Sequence, residues 1–219
     1  MVWVPFLLFG VAAASIWYFQ IRRQVKRRRA IATLARSISF EYFQDDTQGI
    51  TAMPFWLFRQ GRGHKAQNVI SGVHNKLPLK IFDYEYYTDA GKSRDYHRFT
   101  CAILTIPAAC PPLSLSRENV LTRLVDHIDH HDVKLEYDDF NRRFRVSSEH
   151  QNFAFCLLDG KMMQWLLDSD TFDRVETVGP WVLLVRKQLN PAVWRDLGTW
   201  LDAFQSHIPP VLYSSFPRS

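Results

Sequence analysis

The chain has 219 residues, 47% of them hydrophobic and 14% aromatic, enough for a sizeable core. Its net charge of +5 is local: six of the 27 basic residues fall between Arg22 and Arg29, and the other 21 stand against 22 acidic ones. The rest of the chain therefore lacks a basic footprint of its own, which argues against a nucleic-acid-binding domain, and three scattered cysteines without a CxxC pair fit a reducing compartment better than a disulfide framework.

The first element is an uncharged run from Val2 to Ile21 (VWVPFLLFGVAAASIWYFQI). Twenty helical residues rise about 30 Å, the thickness of the hydrocarbon core, so residues 1–21 are predicted to span a bilayer once as a helix. Pro5 lies in the first turn, where its missing N–H matters little, and Trp3, Trp17 and Tyr18 lie near the two ends, where amphipathic rings favour the headgroup layer. A cleaved signal peptide fits less well. Its charges should precede the apolar run, but here they follow it, and the small-residue stretch Ala12–Ser15 lies mid-run.

Arg22, Arg23, Lys26, Arg27, Arg28 and Arg29 follow at once. Positive flanks stay inside, so the N-terminus is expected outside the cell membrane and the remainder in the cytoplasm. The same six side chains are the candidate membrane-surface site, since anionic headgroups attract each nearby cation by about 1 kcal/mol.

Residues 22–58 read as a basic juxtamembrane neck and linker. Val25, Ile31, Leu34, Ala35 and Ile38 recur at helical spacing, predicting a helix over 25–44 that Gln44–Gly49 breaks. Pro54–Phe58 is a short aromatic run, and Arg59–Lys65 reads as a polar turn.

Residues 59–210 read as one α+β domain with a largely antiparallel sheet and packed helices. Asn68–Val73, Leu79–Tyr87 and Tyr96–Ile106 have strand character, the second with Phe82, Tyr84 and Tyr86 on one face and Ile81, Asp83 and Glu85 on the other. Pro107 and Cys110–Pro112 end that meander. Ser116 has the character of an N-cap, with Glu118 in the first turn and Val120, Leu121, Leu124, Val125 and Ile128 on one helix face. Val133–Tyr137 and Arg143–Val146 read as strands around an Asp138–Asp139 turn. Helices are predicted over 153–158 and 161–167, broken near Asp159–Gly160, and a hairpin over 174–185 around Gly179–Pro180. Asn190–Pro191 caps a last helix whose face carries Trp194, Leu197, Leu201 and Phe204, Pro209–Pro210 stops it, and 211–219 reads as a flexible tail. The strand–strand–helix rhythm recurs three times without shared residues, so an ordinary α+β domain is preferred to a repeat.

Motifs for chemistry are sparse. His127 and His131, at i and i+4 within Asp126–Asp132, have the spacing of two metal ligands, but no third is evident and polar residues belong at that helix end. Arg59–Lys65 lacks the phosphate-loop pattern. Arg143 and Arg145 alternate with Phe144 and Val146 as on a solvated strand face. Asp83, Glu85 and His97 resemble both an acid–base set and an exposed sheet face. Cys156 and the Met162–Leu166 stretch read as core. No cofactor and no metal are expected.

The segments Phe82–Tyr86, Leu115–Asn119, Asn141–Val146 and Leu158–Trp165 resemble those of uncharacterised bacterial membrane-anchored proteins, chiefly actinobacterial. The resemblance covers most of residues 60–210 and implies the single-pass architecture, without a catalytic residue. The sequence thus points to a membrane-anchored cytosolic interaction module with the bilayer, anionic headgroups and a protein as partners. The alternative is a tethered enzyme for a phosphorylated or anionic small molecule, in which Arg59, Arg62, Lys65, Arg143 and Arg145 would converge with Asp83, Glu85 or His97.

Overall fold

The computed structural model describes residues 4–91, 93–117, 132–169 and 171–217, and in the first helix the side chains at position 15 and from position 17 onward. The fold is α+β, with helices packed on an antiparallel sheet. Helix α1 (Val4–Ser37) leads into strand β1 (Glu41–Asp45), two short 3-10 turns (Ile50–Ala52 and Leu57–Arg59), and strands β2 (Arg62–His74), β3 (Leu77–Ala90) and β4 (Ser93–Arg117). Then come β5 (Asp132–Val133), α2 (Asp138–Arg143), β6 (Phe144–Ser148), α3 (Gln151–Leu157), α4 (Gly160–Asp168), β7 (Arg174–Lys187), α5 (Trp194–His207) and α6 (Pro210–Ser215).

The sheet runs β1-β2-β3-β4-β6-β5, with β7 also on β4. Strand β4 is long enough to serve two neighbours in succession. Its first half pairs with β3, its last five residues pair with β6, and β7 follows it along the other side. Between the halves the β4–β7 register slips at Cys110, which faces Gly179 at φ 54°. Pro107, Pro111 and Pro112 cluster at this slip, where a missing N–H costs no ladder bond. The prolines therefore bend a continuous strand and do not end it, and Gly179–Pro180 likewise lies inside one strand, not at a hairpin turn.

Two cores form, one on each sheet face. β3 alternates between them: Leu79 and Ile81 join the larger core with α1 and α3–α6, and Phe82, Tyr84 and Tyr86 join a smaller one under Ile50, Phe55, Leu57 and Phe58. Burying both faces removes the solvated side that the alternation implied. The predicted stripe of α5 is fully realised: Trp194, Leu197, Leu201 and Phe204 are buried, and Asn190 caps the entry by accepting from the Ala192 amide at 3.1 Å. The break at Asp159–Gly160 is also present, with Asp159 capping α4 through the Met162 amide at 2.9 Å.

Several boundaries differ from the sequence reading. The neck helix ends at Ser37 and residues 41–45 are strand, because Phe40 turns under the sheet and its ring packs on the backbone at Gly72, where a Cβ would stand 2.3 Å away. Residues 31–58 belong to the domain: Ile31, Ala35, Ile50, Phe55 and Leu57 are at most 1% exposed. The second half of the Arg59–Lys65 turn is the start of β2. Ser116 is a buried strand residue opposite Arg145 and Arg174, not a helix cap. The stretch Asp138–Arg143 is a helix, so Arg143 is not on a strand face. The tail from Pro210 forms α6, with Leu212 fully buried, Phe216 against Phe153 at 5.2 Å and Pro217 bridged to Ala108. Pro209 and Pro210 redirect the chain into a new helix whose first turn needs no proline N–H.

Among the described residues, no helix is long and apolar enough to cross a membrane. Most of the predicted span, and the predicted helix after Arg117 with His127 and His131, lie outside the described side chains. Asp132 is the described member of that histidine-rich stretch, and it pairs with Arg145 at 2.6 Å.

Candidate functional site

The basic collar occupies the middle of α1, and the fold divides its members. Arg22, Arg23, Lys26 and Arg29 are exposed. Arg28 is half-buried, with its charge near the Tyr42 phenol. Arg27 is the exception to the candidate surface: it begins the inward stripe Arg27–Ile31–Ala35, each four residues apart, and its guanidinium turns onto β3.

There Nε and Nη2 of Arg27 donate to the two oxygens of Asp83 at 2.8 and 2.7 Å. This is the bidentate geometry that makes an arginine–carboxylate pair both strong and directional. Asp83 is only 2% exposed. It also accepts from Asn68 Nδ2 at 2.9 Å and from Thr100 Oγ1 at 3.5 Å. Asn68 sits in a β2 bulge at φ 54° and accepts from the Tyr42 hydroxyl at 3.1 Å. The Arg27 guanidinium lies 5.8 Å from the Trp194 ring centre. The joint therefore ties five elements, α1, β1, β2, β3 and β4, to the start of α5. Burial raises the Tyr42 phenol, as do the acids Asp45 and Asp83, while Arg28 pulls it down.

A second buried charge cluster closes the opposite face. Glu176 accepts from the Trp56 amide at 2.8 Å and the Leu57 amide at 3.2 Å, and from Arg174 Nη1 at 3.2 Å. It holds the 50–59 segment over the smaller core. Burial pushes its carboxyl above the ordinary value, against the pull of Arg174 and the two amides. Sequence reading takes Arg174 and Glu176 as an ordinary strand. The available signal is a pair of opposite charges at i and i+2 in an otherwise apolar run.

The residues required for an anionic-substrate enzyme do not share one cleft, although Lys65 is the ladder partner of Glu85. Arg62 pairs with Asp89 at 3.4 Å, Arg145 with Asp132, and Arg143 donates to the Leu167 carbonyl at 3.2 Å. Asp83 is closed off under Arg27, Glu85 pairs with Arg98, and His97 bonds Thr88 at 2.9 Å and stacks on Tyr86. An open polar cleft of about 370 Å³ lined by Tyr137, Asp139, Arg142, Arg143 and Gln164 contains Arg143 but not Arg59, Arg62, Lys65, Arg145, Asp83, Glu85 or His97. Among the described residues, no group of three or more metal-binding side chains forms. Cys101 and Cys110 are buried and Cys156 half-buried, all three as free thiols.

No family model matches the chain, and no curated protein matches it either. A solved structure does: the crystal structure of the mycobacterial trehalose monomycolate transport factor A, TtfA, matches 84% of this chain and 97% of its own with a TM-score of 0.62 at 16% sequence identity. The likeness is one of fold.

Proposed function

We propose that the chain is a single-pass membrane protein, N-terminus outside, whose cytosolic α+β domain is an interaction module in the movement of membrane lipid. The observation that carries this reading is the Arg27–Asp83 joint. It fastens the basic helix to the sheet at a defined point, so a domain carried by that helix is held with one face toward the bilayer. The exposed collar of Arg22, Arg23, Lys26 and Arg29 supplies the cations that hold a helix end on the inner leaflet. The apolar run before it has the length of a span. TtfA is by its name a mycobacterial trehalose monomycolate transport factor, and a shared fold over most of both chains supports a related task here. The resemblance to actinobacterial membrane-anchored proteins adds support from the sequence side. Partners on this reading are anionic headgroups and a protein of the same membrane.

Two measurements test it. Protease added to intact cells should leave the domain whole and protease added to inverted vesicles should digest it; the reverse pattern refutes the topology. Depleting the protein should then lower the fraction of radiolabelled lipid extractable from the cell surface. An unchanged fraction removes the transport role.

A further inference from the structure

The joint also fixes how far the sheet reaches toward the bilayer. Arg27 and Asp83 mark one level shared by α1 and β3. At the other end of the packed stretch Phe40, just past α1, lies on Gly72, whose ladder partner is Leu79. Helix numbers rise as β3 numbers fall, so α1 is antiparallel to β3, and its N-terminal half projects the same way as the β3–β4 hairpin.

The heights can be compared. Trp17 is ten residues before Arg27, about 15 Å along a helix axis. Tyr87 and its ladder partner Tyr96 lie four residues beyond Asp83, about 13 Å along a strand. Arg22 and Arg23 stand roughly 6–8 Å above the joint, and Arg98, opposite Glu85, about 7 Å. The hairpin thus repeats the order found on the helix, a basic level and then an aromatic one, and adds the opposed charges of Asp89 and Arg94 beyond it.

Its side chains suit a headgroup layer. Tyr87 and Tyr96 pair at 5.7 Å, and Tyr96 is 47% exposed. The Arg94 guanidinium covers Tyr87 at 4.5 Å and that of Arg98 covers Tyr96 at 5.7 Å. All four lie on the same sheet face as Asp83, the face that α1 covers. The acids here are already engaged: Asp89 with Arg62, Glu85 with Arg98, and Asp95 lies 3.9 Å from His97. Amphipathic rings with internally balanced charges favour the membrane–water boundary. The charged tip resists entry into hydrocarbon, so the hairpin lies against the headgroups, with the anchor at an ordinary tilt of about 20°.

We propose that the β3–β4 hairpin is a second contact with the bilayer surface, in which Tyr87 and Tyr96 sit in the headgroup layer beside the anchor helix. The inference rests on the membrane-anchored reading above. Because the hairpin charges balance, this contact depends on the rings and persists in high salt, unlike attraction to the collar.

The test uses the full chain in nanodiscs of phosphatidylcholine and phosphatidylglycerol. A Cys156→Ser background receives one nitroxide, at Ser93→Cys in the hairpin, at Ser15→Cys in the anchor, or at Arg142→Cys. Arg142 lies two residues before Phe144, the β6 residue paired with Arg117 at the end of β4 opposite Ser93. Collision with oxygen relative to a water-soluble nickel chelate reports depth. The Ser93 label is expected to show a ratio several-fold above that of the Arg142 label, in low and high salt alike, and Tyr87→Ser with Tyr96→Ser should bring it down to the Arg142 level. A Ser93 ratio equal to the Arg142 ratio, with the Ser15 label in lipid, overturns the hairpin contact and leaves the anchor standing. A Ser15 label as wet as the Arg142 label overturns the anchor, and the hairpin contact with it.

Discussion

Arg27 and Asp83 join across 56 residues through two hydrogen bonds of 2.8 and 2.7 Å. The carboxylate lies under the helix and the guanidinium is its cover, so neither group can be removed alone without leaving the other in poor company. That makes the pair a joint between the helix that carries the collar and the sheet that carries the domain.

Arg27→Met should destabilise the full chain by about 3 kcal/mol, because a buried Asp83 then keeps only Asn68 and Thr100 as partners. Adding Asp83→Leu should restore part of that loss, since removing both charges also removes the desolvation cost. Urea unfolding in detergent measures both. A single variant within about 0.5 kcal/mol of the parent, the range of ordinary surface changes, would show that the joint is not structural.

The exposed collar should behave differently. On the proposed topology, changing Arg22, Arg23, Lys26 and Arg29 together to Gln should leave the urea midpoint in place and let a fraction of molecules insert in the opposite sense. Alkaline phosphatase fused to the C-terminus reads this directly, because it is active only outside the cytoplasm. Activity that stays at background would separate the collar from topology.

Much of this arrangement was legible in the sequence. Periodicity found α5, the break between α3 and α4, and the two faces of β3, because those elements bury what they alternate. The strand status of Ser116 and the continuity of β4 through Pro107–Pro112 were not legible, since a bulge absorbs the prolines only when β7 is there to slip against. Asp83 looked solvated because its burial depends on Arg27, 56 positions away. Even so, the apolar stripe of β3 gives way to acids from Asp83 onward and that of α1 begins after the basic collar at Arg27, and the two changes answer each other.

The three thiols should react in a fixed order. Burial pushes the Cys110 thiol up to about 12 and raises Cys101 well above its ordinary value. Cys156 is half-buried and raised by burial and by Asp159. Since the thiolate is the nucleophile, iodoacetamide at pH 8 should modify Cys156 alone in the folded chain, and all three in denaturant. Peptide mass mapping checks this, and modification of Cys110 before Cys156 would contradict the packing around the β4 bend.

Removing residues 211–219 should destabilise the domain by about 2–4 kcal/mol, the ordinary cost of losing a large buried side chain, here Leu212. The contact of Phe216 with Phe153 and the bond from the Ala109 amide to the Phe216 carbonyl go with it. A truncated chain with an unchanged urea midpoint would return the tail to the mobile status its prolines first suggested.

High pH should unfold the smaller core first. Burial pushes the Tyr86 phenol up to about 12 and raises Tyr84 further, with the nearby Glu176 charge adding to the second. Both groups bind their protons more tightly folded than unfolded. The stability they supply is therefore complete below the unfolded value near 10 and declines as pH rises through the folded one. Tyr86→Phe cannot ionise, so it should flatten the loss of stability between about pH 10 and 12 by about 2 kcal/mol. Its cost at pH 8 should be small, since the hydroxyl donates one long bond, 3.3 Å, to Gln60. Urea midpoints of parent and variant across that range decide the matter: parallel curves would mean that the ring is wetter than its stacking with Phe99 and His97 requires.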